Sequence, residues 1–147
     1  MNEAHWHLVV NHLPIIFPIV GVIVMITGLI SKSRGVKRTA HLIFIMGALT
    51  AMLAIITGEG AKEVVEKISG ISQIYIENHE TMAETFALLS YILGGLSLFA
   101  LWASFKQKTF STILNIATLV FALVVLFFGK ETGTTGGEIR HTEIRKI

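Results

Sequence analysis

The residues best suited to chemistry in this sequence are its histidines. His5, His7 and His12 precede or open the first long apolar run, in EAHWHLVVNHLPIIFP, while His79 begins a later apolar run and His141 lies near the end. Neutral imidazole binds many metal ions and haem iron. Ionisable side chains at membrane depth usually face the interior of a helix bundle. The pattern therefore predicts a histidine-ligated site where several apolar segments end.

Two kinds of histidine site are compatible with this pattern. In the first, His12 and His79 come from different helices and bind the iron of haem b from opposite sides, as axial ligands. In the second, several imidazoles bind a Zn, Cu or Fe ion, and a glutamate completes the ligand set. The candidate cofactor-binding residues are His7, His12, His79 and His141. The candidate metal ligands are His12 and His79, with Glu80 and Glu84 as further candidates.

The composition excludes several other kinds of site. The sequence contains no cysteine, which excludes disulfides, iron–sulfur clusters and covalently attached c-type haem. All 10 acidic residues are glutamates, so an aspartate dyad is excluded as well. The net charge is only +2, with no basic stripe that would indicate nucleic-acid binding. Because no Ser-His-Asp, Cys-His or phosphate-cradling motif is found, the sequence favours a redox carrier or a complex subunit over a stand-alone enzyme.

Four long apolar runs must position the histidines. The chain is 52% hydrophobic and 15% charged, which is typical of a membrane protein. Each run is long enough to cross a hydrocarbon core, where a helix satisfies its own backbone polar groups. We therefore expect an all-α integral membrane four-helix bundle that forms a single transmembrane domain over residues 1–147. The expected helices cover about 8–30, 41–57, 77–104 and 110–129, followed by a polar tail at 130–147.

The distribution of charge predicts the orientation of this bundle. The segments SKSRGVKR and SFKQKT, which should lie at the same end, contribute six basic residues and no acid. By the positive-inside rule this end is cytoplasmic, so both termini and the histidine-rich end lie outside. His41, at the cytoplasmic end beside Arg38, is expected to be an interfacial anchor.

The segments that connect the helices carry their own signals. Pro14 and Pro18 disturb helical hydrogen bonding and predict a break near His12. The glycine- and threonine-rich tail predicts a turn with a strand-like or irregular end. Between helices 2 and 3 an apolar stripe at helical spacing predicts a short interfacial amphipathic helix. This stripe consists of Val64, Ile68, Ile71 and Tyr75.

The stretch HLVVNHLPIIFP also resembles the opening of a large bacterial family of small four-helix membrane proteins, catalogued as a domain of unknown function. The family opens with a His-x4-His-x-Pro pattern, which His7, His12 and Pro14 match. Further along, the family has a Thr-Gly pair at the end of helix 2, a histidine at the start of helix 3 and a Gly-Gly-x-x-x-His tail. The matching residues here are Thr57, Gly58, His79, Gly136, Gly137 and His141.

Two departures from the family pattern are Leu8, where the family usually has proline, and Leu13, where it usually has phenylalanine. Neither change removes a candidate ligand. The resemblance implies a location in the bacterial inner (cytoplasmic) membrane and groups His7, His12, His79 and His141 as a functional set. Members of the family have been suspected of haem binding or redox work, so the resemblance supports a set of residues rather than a particular reaction.

These observations lead to one leading hypothesis and two alternatives. The leading hypothesis is a b-type cytochrome-like electron-transfer protein with a histidine-ligated haem site at its outer face. The alternatives are a cofactor-free accessory or assembly subunit of a respiratory or photosynthetic membrane complex, and a membrane protein that binds a metal ion through His and Glu. The expected partners are the lipid bilayer, other membrane redox subunits or a quinone, and a second copy of the chain, with no nucleic acid.

Overall fold

The computed structural model describes residues 2–145, and the expected all-α architecture is confirmed. Helix α1 and helix α2 follow each other closely and together form one apolar segment, while α3, α4 and α5 form one segment each. All four segments are long and apolar enough to cross a membrane. The helices are α1 (Glu3–Val10), α2 (Leu13–Ile30), α3 (Arg34–Val65), α4 (Gln73–Phe105) and α5 (Ser111–Arg140), followed by a 3-10 turn at Thr142–Ile144.

The break between α1 and α2 lies where the sequence predicts it. Helix α1 ends at Val10 and α2 begins at Leu13, so His12 is the residue that precedes α2. Pro14 occupies the first turn of α2, where a missing backbone N–H group costs little. Pro18 lies inside α2 and is buried. The first apolar segment therefore consists of a short leading helix and a longer spanning helix.

The bundle forms because each helix presents an inward stripe to its neighbours. Helix α2 packs on α3, α3 on α4 and α4 on α5, and contacts between α2 and α5 close the bundle. Its centre contains fully or almost fully buried side chains from all four spans, Met25, Phe44, Leu93 and Val125. Many large apolar side chains point outward instead, among them Ile23, Leu49, Ile92 and Ile113. An apolar exterior around a packed centre is the arrangement expected of a bundle that lipid surrounds.

Two helices extend well beyond their predicted ends. Helix α3 continues to Val65, and α5 continues through the glycine- and threonine-rich segment to Arg140. The predicted strand-like or irregular tail is therefore wrong over most of its length. Glycine weakens helices in water, but here Gly58 and Gly136 face histidine rings on neighbouring helices. Packing against those helices stabilises a helical backbone that the local sequence disfavours.

The interfacial helix predicted between the second and third spans is not found in the structure. Its apolar stripe is divided between the end of α3, a turn at residues 66–72 and the start of α4. Gly70 lies in this turn with φ of 87°, a left-handed conformation that favours glycine. Only Val64 and Tyr75 of the stripe lie in helices, while Ile68 and Ile71 lie in the turn, so the helical spacing along the sequence does not correspond to one helix.

The interfacial position expected for His41 is also wrong. His41 is 0% exposed, and its Nε2 atom lies 2.9 Å from Oδ1 of Asn115 on α5. A buried polar side chain is costly unless it has a hydrogen-bonding partner, and Asn115 supplies one. Sequence analysis placed His41 near the basic loop correctly but could not identify the helix that covers it.

The close approach of α3 and α4 yields a prediction about stability. A Cβ atom added at Gly94 would lie 2.6 Å from Cβ of Ala48, which cannot rotate away, whereas one added at Gly95 meets nothing within 4 Å. We expect Gly94→Ala to lower the free energy of unfolding by about 1–3 kcal/mol, the usual cost of overpacking. Gly95→Ala, on the same helix, should leave it unchanged or raise it by up to about 1 kcal/mol. Unfolding by denaturing detergent in micelles measures both, and equal losses would contradict the packing described here.

Candidate functional site

The first part of the candidate site is formed where α1 lies against the far end of α3. Nδ1 of His7 lies 3.2 Å from Oγ1 of Thr57. The next residue, Gly58, has no side chain, and a Cβ atom there would lie 3.5 Å from Cε1 of the same imidazole. Thr57 therefore holds the ring, and Gly58 leaves room for it on the surface of α3.

The second part repeats this arrangement between α4 and α5. Nδ1 of His79 lies 3.2 Å from Oγ1 of Thr135. A Cβ atom at the following residue, Gly136, would lie only 3.0 Å from Cε1 of His79, so a larger residue would push the ring away. The same His–Thr–Gly unit thus occurs twice, each time with the histidine on one helix and the Thr–Gly pair on its neighbour.

The hydroxyl hydrogen bonds indicate which imidazole nitrogen carries the proton. Oγ1 of Thr57 donates within its own helix, 2.9 Å from the carbonyl of Leu53, and Oγ1 of Thr135 lies 3.0 Å from the carbonyl of Thr132. A hydroxyl has a single proton, so towards each imidazole the threonine oxygen acts as acceptor. With the hydroxyl protons placed on the helix carbonyls, Nδ1 of His7 and of His79 donates, and both Nε2 atoms keep a lone pair. An imidazole held through Nδ1–H with Nε2 free is the usual form of a metal-ligating histidine.

The two units lie at the same end of the bundle, which we call the histidine end. Near them, Nζ of Lys62 on α3 lies 2.6 Å from Oε2 of Glu80 on α4, next to His79. His7 and His79 are both half-buried, whereas His12 is exposed at the junction of α1 and α2. The structure therefore brings His7, His12 and His79 into one region, with His7 and His79 held by threonines.

The other predicted ligands lie in different surroundings. His141 is exposed beyond the end of α5, and its Nδ1 lies 2.9 Å from Oε1 of Glu143. The pKa of Glu143 is lowered by its own backbone N–H group and by this histidine. Glu80 forms an ion pair of 2.6 Å with Lys62, and Glu84 is exposed. Within residues 2–145 no three His or Glu side chains converge into a metal-ligand cluster.

The arrangement is best suited to chemistry that uses two imidazoles. Two imidazoles on different helices could each supply one nitrogen donor to a cofactor such as haem b. A tetrahedral metal site would need further protein ligands, and Glu80 is already engaged by Lys62. The donor set therefore fits a two-ligand cofactor better than a closed structural metal site.

The sequence indicates the histidines but not the threonines and glycines that hold them. Thr135 was not singled out, and Thr57, Gly58 and Gly136 entered only through the family resemblance. One signal was available: Thr–Gly dipeptides lie near the far end of the second apolar run, at Thr57–Gly58, and twice in the tail, at Thr132–Gly133 and Thr135–Gly136, although a fourth, Thr27–Gly28, lies in the first run away from these histidines. Deciding which of these dipeptides pairs with a histidine on another helix requires the tertiary structure.

Comparison of the chain with protein-family models, with curated proteins and with solved structures finds no match. The site must therefore be interpreted from its own geometry and chemistry. Together, these observations define a bundle of four helical segments long enough to span a membrane, in which two histidines are each held by a threonine of a neighbouring helix.

The hydrogen bonds to the threonines predict the tautomers of both imidazoles. In protein labelled with nitrogen-15 at histidine, the signals of His7 and His79 should show protonated Nδ1 and unprotonated Nε2 at alkaline pH, because Thr57 and Thr135 accept from Nδ1. Thr57→Val should remove this preference at His7 and leave His79 unchanged. Observation of protonated Nε2 at both residues in the unchanged protein would contradict the proton assignment.

Proposed function

We propose that this chain is a small integral membrane electron-transfer protein that binds haem b through the imidazoles of His7 and His79. The observation that supports this most directly is the repeated His–Thr–Gly unit, which presents two free Nε2 atoms from separate helices. When bound, haem b would supply an iron that is reduced and oxidised by one electron. The chain's own residues would provide the axial donors and hold them in position.

Thr57 and Thr135 would act as positioning residues in this site. A hydrogen bond from Nδ1–H to an oxygen orients the imidazole and raises the basicity of Nε2. Each threonine oxygen is itself held by a carbonyl of its own helix, so its lone pairs are directed before any ligand binds. Gly58 and Gly136 would complete the cradle because they let the rings lie close to α3 and α5.

The proposal places His7, rather than the initially expected His12, opposite His79. His7 has a threonine partner of the same kind as His79, at the same distance of 3.2 Å. His12 is exposed and has no side-chain hydrogen bond among the described residues. His12 and His141 would lie at the edge of the site, where an exposed imidazole can interact with a cofactor's polar groups or with an electron-transfer partner.

We further propose that the histidine end faces outward from a bacterial inner membrane, with both termini on that side. This orientation is supported by the six basic residues in the loops at the opposite end, in accordance with the positive-inside rule. Electrons would then be exchanged near the outer membrane surface with a quinone or with another membrane redox subunit.

The haem proposal is tested by the visible spectrum of protein expressed with added haem. The purified protein should show the absorption bands of a six-coordinate, bis-histidine b-type haem, with sharpened bands after reduction by dithionite. His7→Ala and His79→Ala should each remove one axial donor and abolish this spectrum. His5→Ala is the matched control, because His5 lies on α1 like His7 but is exposed, and its side chain forms no hydrogen bond within residues 2–145.

Three outcomes would contradict the proposal. A colourless protein with no bound iron would exclude haem binding. A zinc or copper ion bound in place of haem would show that the histidines bind a metal ion instead. Loss of haem in His5→Ala to the same extent as in His7→Ala would show that the ligands are wrongly assigned.

A second test addresses the positioning role of Thr135. Thr135→Val keeps the shape of the side chain but removes the acceptor for Nδ1 of His79, so the affinity for haem should fall about 10–100-fold. Thr135→Ser should restore it. The adjacent Thr134→Val is a suitable control, since Thr134 is exposed and bonds only to the carbonyl of Lys130. Haem titration measures the affinities, and equal losses in the two valine variants would contradict a specific role for Thr135.

A further inference from the structure

The opposite end of the bundle contains a polar cleft that the haem proposal does not use. The cleft has a volume of about 260 Å³ and lies between the start of α3, the end of α4 and the start of α5. Its lining includes three basic side chains and several hydroxyl and amide groups. The residues that matter here are Arg34, Lys37, Lys108, Ser111, Thr112 and Asn115.

The cleft is strongly positive because its charges are uncompensated. Arg34, Lys37 and Lys108 form no ion pair within residues 2–145. No acidic residue occurs between positions 4 and 58 or between positions 85 and 130, and these ranges contain all of the segments that line the cleft. Three like charges close together repel one another, so the cleft favours an anion that would reduce this repulsion.

A neighbouring cation has a structural role that distinguishes it from these three. Arg38 donates from Nε to Oγ of Ser104 and from Nη2 to the carbonyl of Ser104, each at 2.9 Å, and its guanidinium lies 4.0 Å from the centre of the Phe105 ring. Arg38 therefore ties α3 to the end of α4. Among the cations that line the cleft, Lys108 lies 5.9 Å from the centre of the Trp102 ring, while Arg34 and Lys37 form no ion pair within residues 2–145.

The floor of the cleft contains a polar side chain that is held in place. Asn115 is only 4% exposed, and its Oδ1 atom is occupied by Nε2 of His41 at 2.9 Å. Its amide N–H₂ group has no acceptor among the described residues, although Asn115 lines the cleft. This amide group lines the cleft with no protein acceptor within residues 2–145, so an anion in the cleft could accept its hydrogen bonds. The fully buried His41 thus orients Asn115 from behind.

The start of α5 adds further donors. Phe110, the residue before this helix, cannot cap it with its side chain, so backbone N–H groups of the first turn remain without a side-chain partner. Ser111 and Thr112 in this turn contribute hydroxyl groups to the cleft. Free N–H groups and the positive end of the helix dipole both favour a bound anion.

From these observations we propose that this cleft binds a phosphate group. Basic side chains, hydroxyl groups, an amide donor and a helix N-terminus are together the groups that bind phosphate in proteins. The volume of about 260 Å³ lies below the usual range of about 300–1,000 Å³ for larger organic ligands, which indicates a head group or a free phosphate. The phosphate could belong to an anionic phospholipid of the adjacent leaflet or to a small soluble molecule.

The test uses the full chain in nanodiscs and compares two charge-matched double variants. Lys37→Gln with Lys108→Gln removes two charges from the cleft. Lys32→Gln with Lys106→Gln removes two charges from the same end but outside the lining of the cleft. One arm measures retention of phosphatidylglycerol by native mass spectrometry, and the other measures binding of inorganic phosphate to protein in phosphatidylcholine nanodiscs.

The proposal predicts that the cleft variant binds the phosphate ligand at least about tenfold more weakly, because charged hydrogen bonds are lost. The control variant should bind as the unchanged protein does, and Lys37→Arg with Lys108→Arg should retain binding. Binding in the first arm identifies a lipid head group, and binding in the second identifies a soluble phosphate. Equal weakening in the two glutamine variants would overturn the proposal in favour of diffuse surface charge, and absence of binding in both arms would overturn it outright. Neither result bears on haem binding, which is measured separately by the visible spectrum.

Discussion

Close approach between helices at small residues is the constraint on which the rest of this structure depends. Within lipid the hydrophobic effect does not favour helix association, so packing between complementary surfaces must supply the stability. Gly47 lies against Pro18, with 3.2 Å between its would-be Cβ position and the proline ring, and Gly94 lies against Ala48. Gly129 receives the ring of Phe86 in the same way. These contacts bring the helices close enough for polar side chains at both ends to meet across helix boundaries.

Both ends of the bundle use buried or half-buried polar pairs between helices, but with different chemical results. At the histidine end, Thr57 and Thr135 accept from the imidazoles and leave lone pairs available for a Lewis acid such as iron. At the basic end, His41 occupies the oxygen of Asn115 and leaves N–H donors facing a positive cleft. Under the two proposals made above, the first end would hold a haem and the second would hold a phosphate group. The apolar middle of the bundle keeps the two environments apart.

The parts of the fold that follow from local patterns were predictable. Four apolar runs predict four spans, and the position of Pro14 and Pro18 predicts the break near His12, as observed. The ends of α3 and α5 were predicted poorly. Gly58 near the end of α3, Gly136 near the end of α5 and the polar residues around each of them weaken a helix when each segment is considered alone. In the structure, helices α1 and α4 pack on these segments and extend α3 and α5 into the regions predicted to be loop and tail. The supposed interfacial helix failed for a related reason, since its stripe is divided between two helices and the turn that contains Gly70.

Residue type and hydropathy thus identified the class of fold and the four apolar segments, because these depend on side-chain chemistry and on spacing along one helix, and they singled out the histidines as candidate site residues. Only the tertiary structure revealed that Thr57 holds His7, that Thr135 holds His79 and that Asn115 holds His41. Each of these pairs joins residues at least 50 positions apart in the chain. Helical periodicity describes the faces of one helix but carries no information about which face of another helix it meets. That choice is made by packing, and packing therefore determines which nitrogen of each imidazole is free to react.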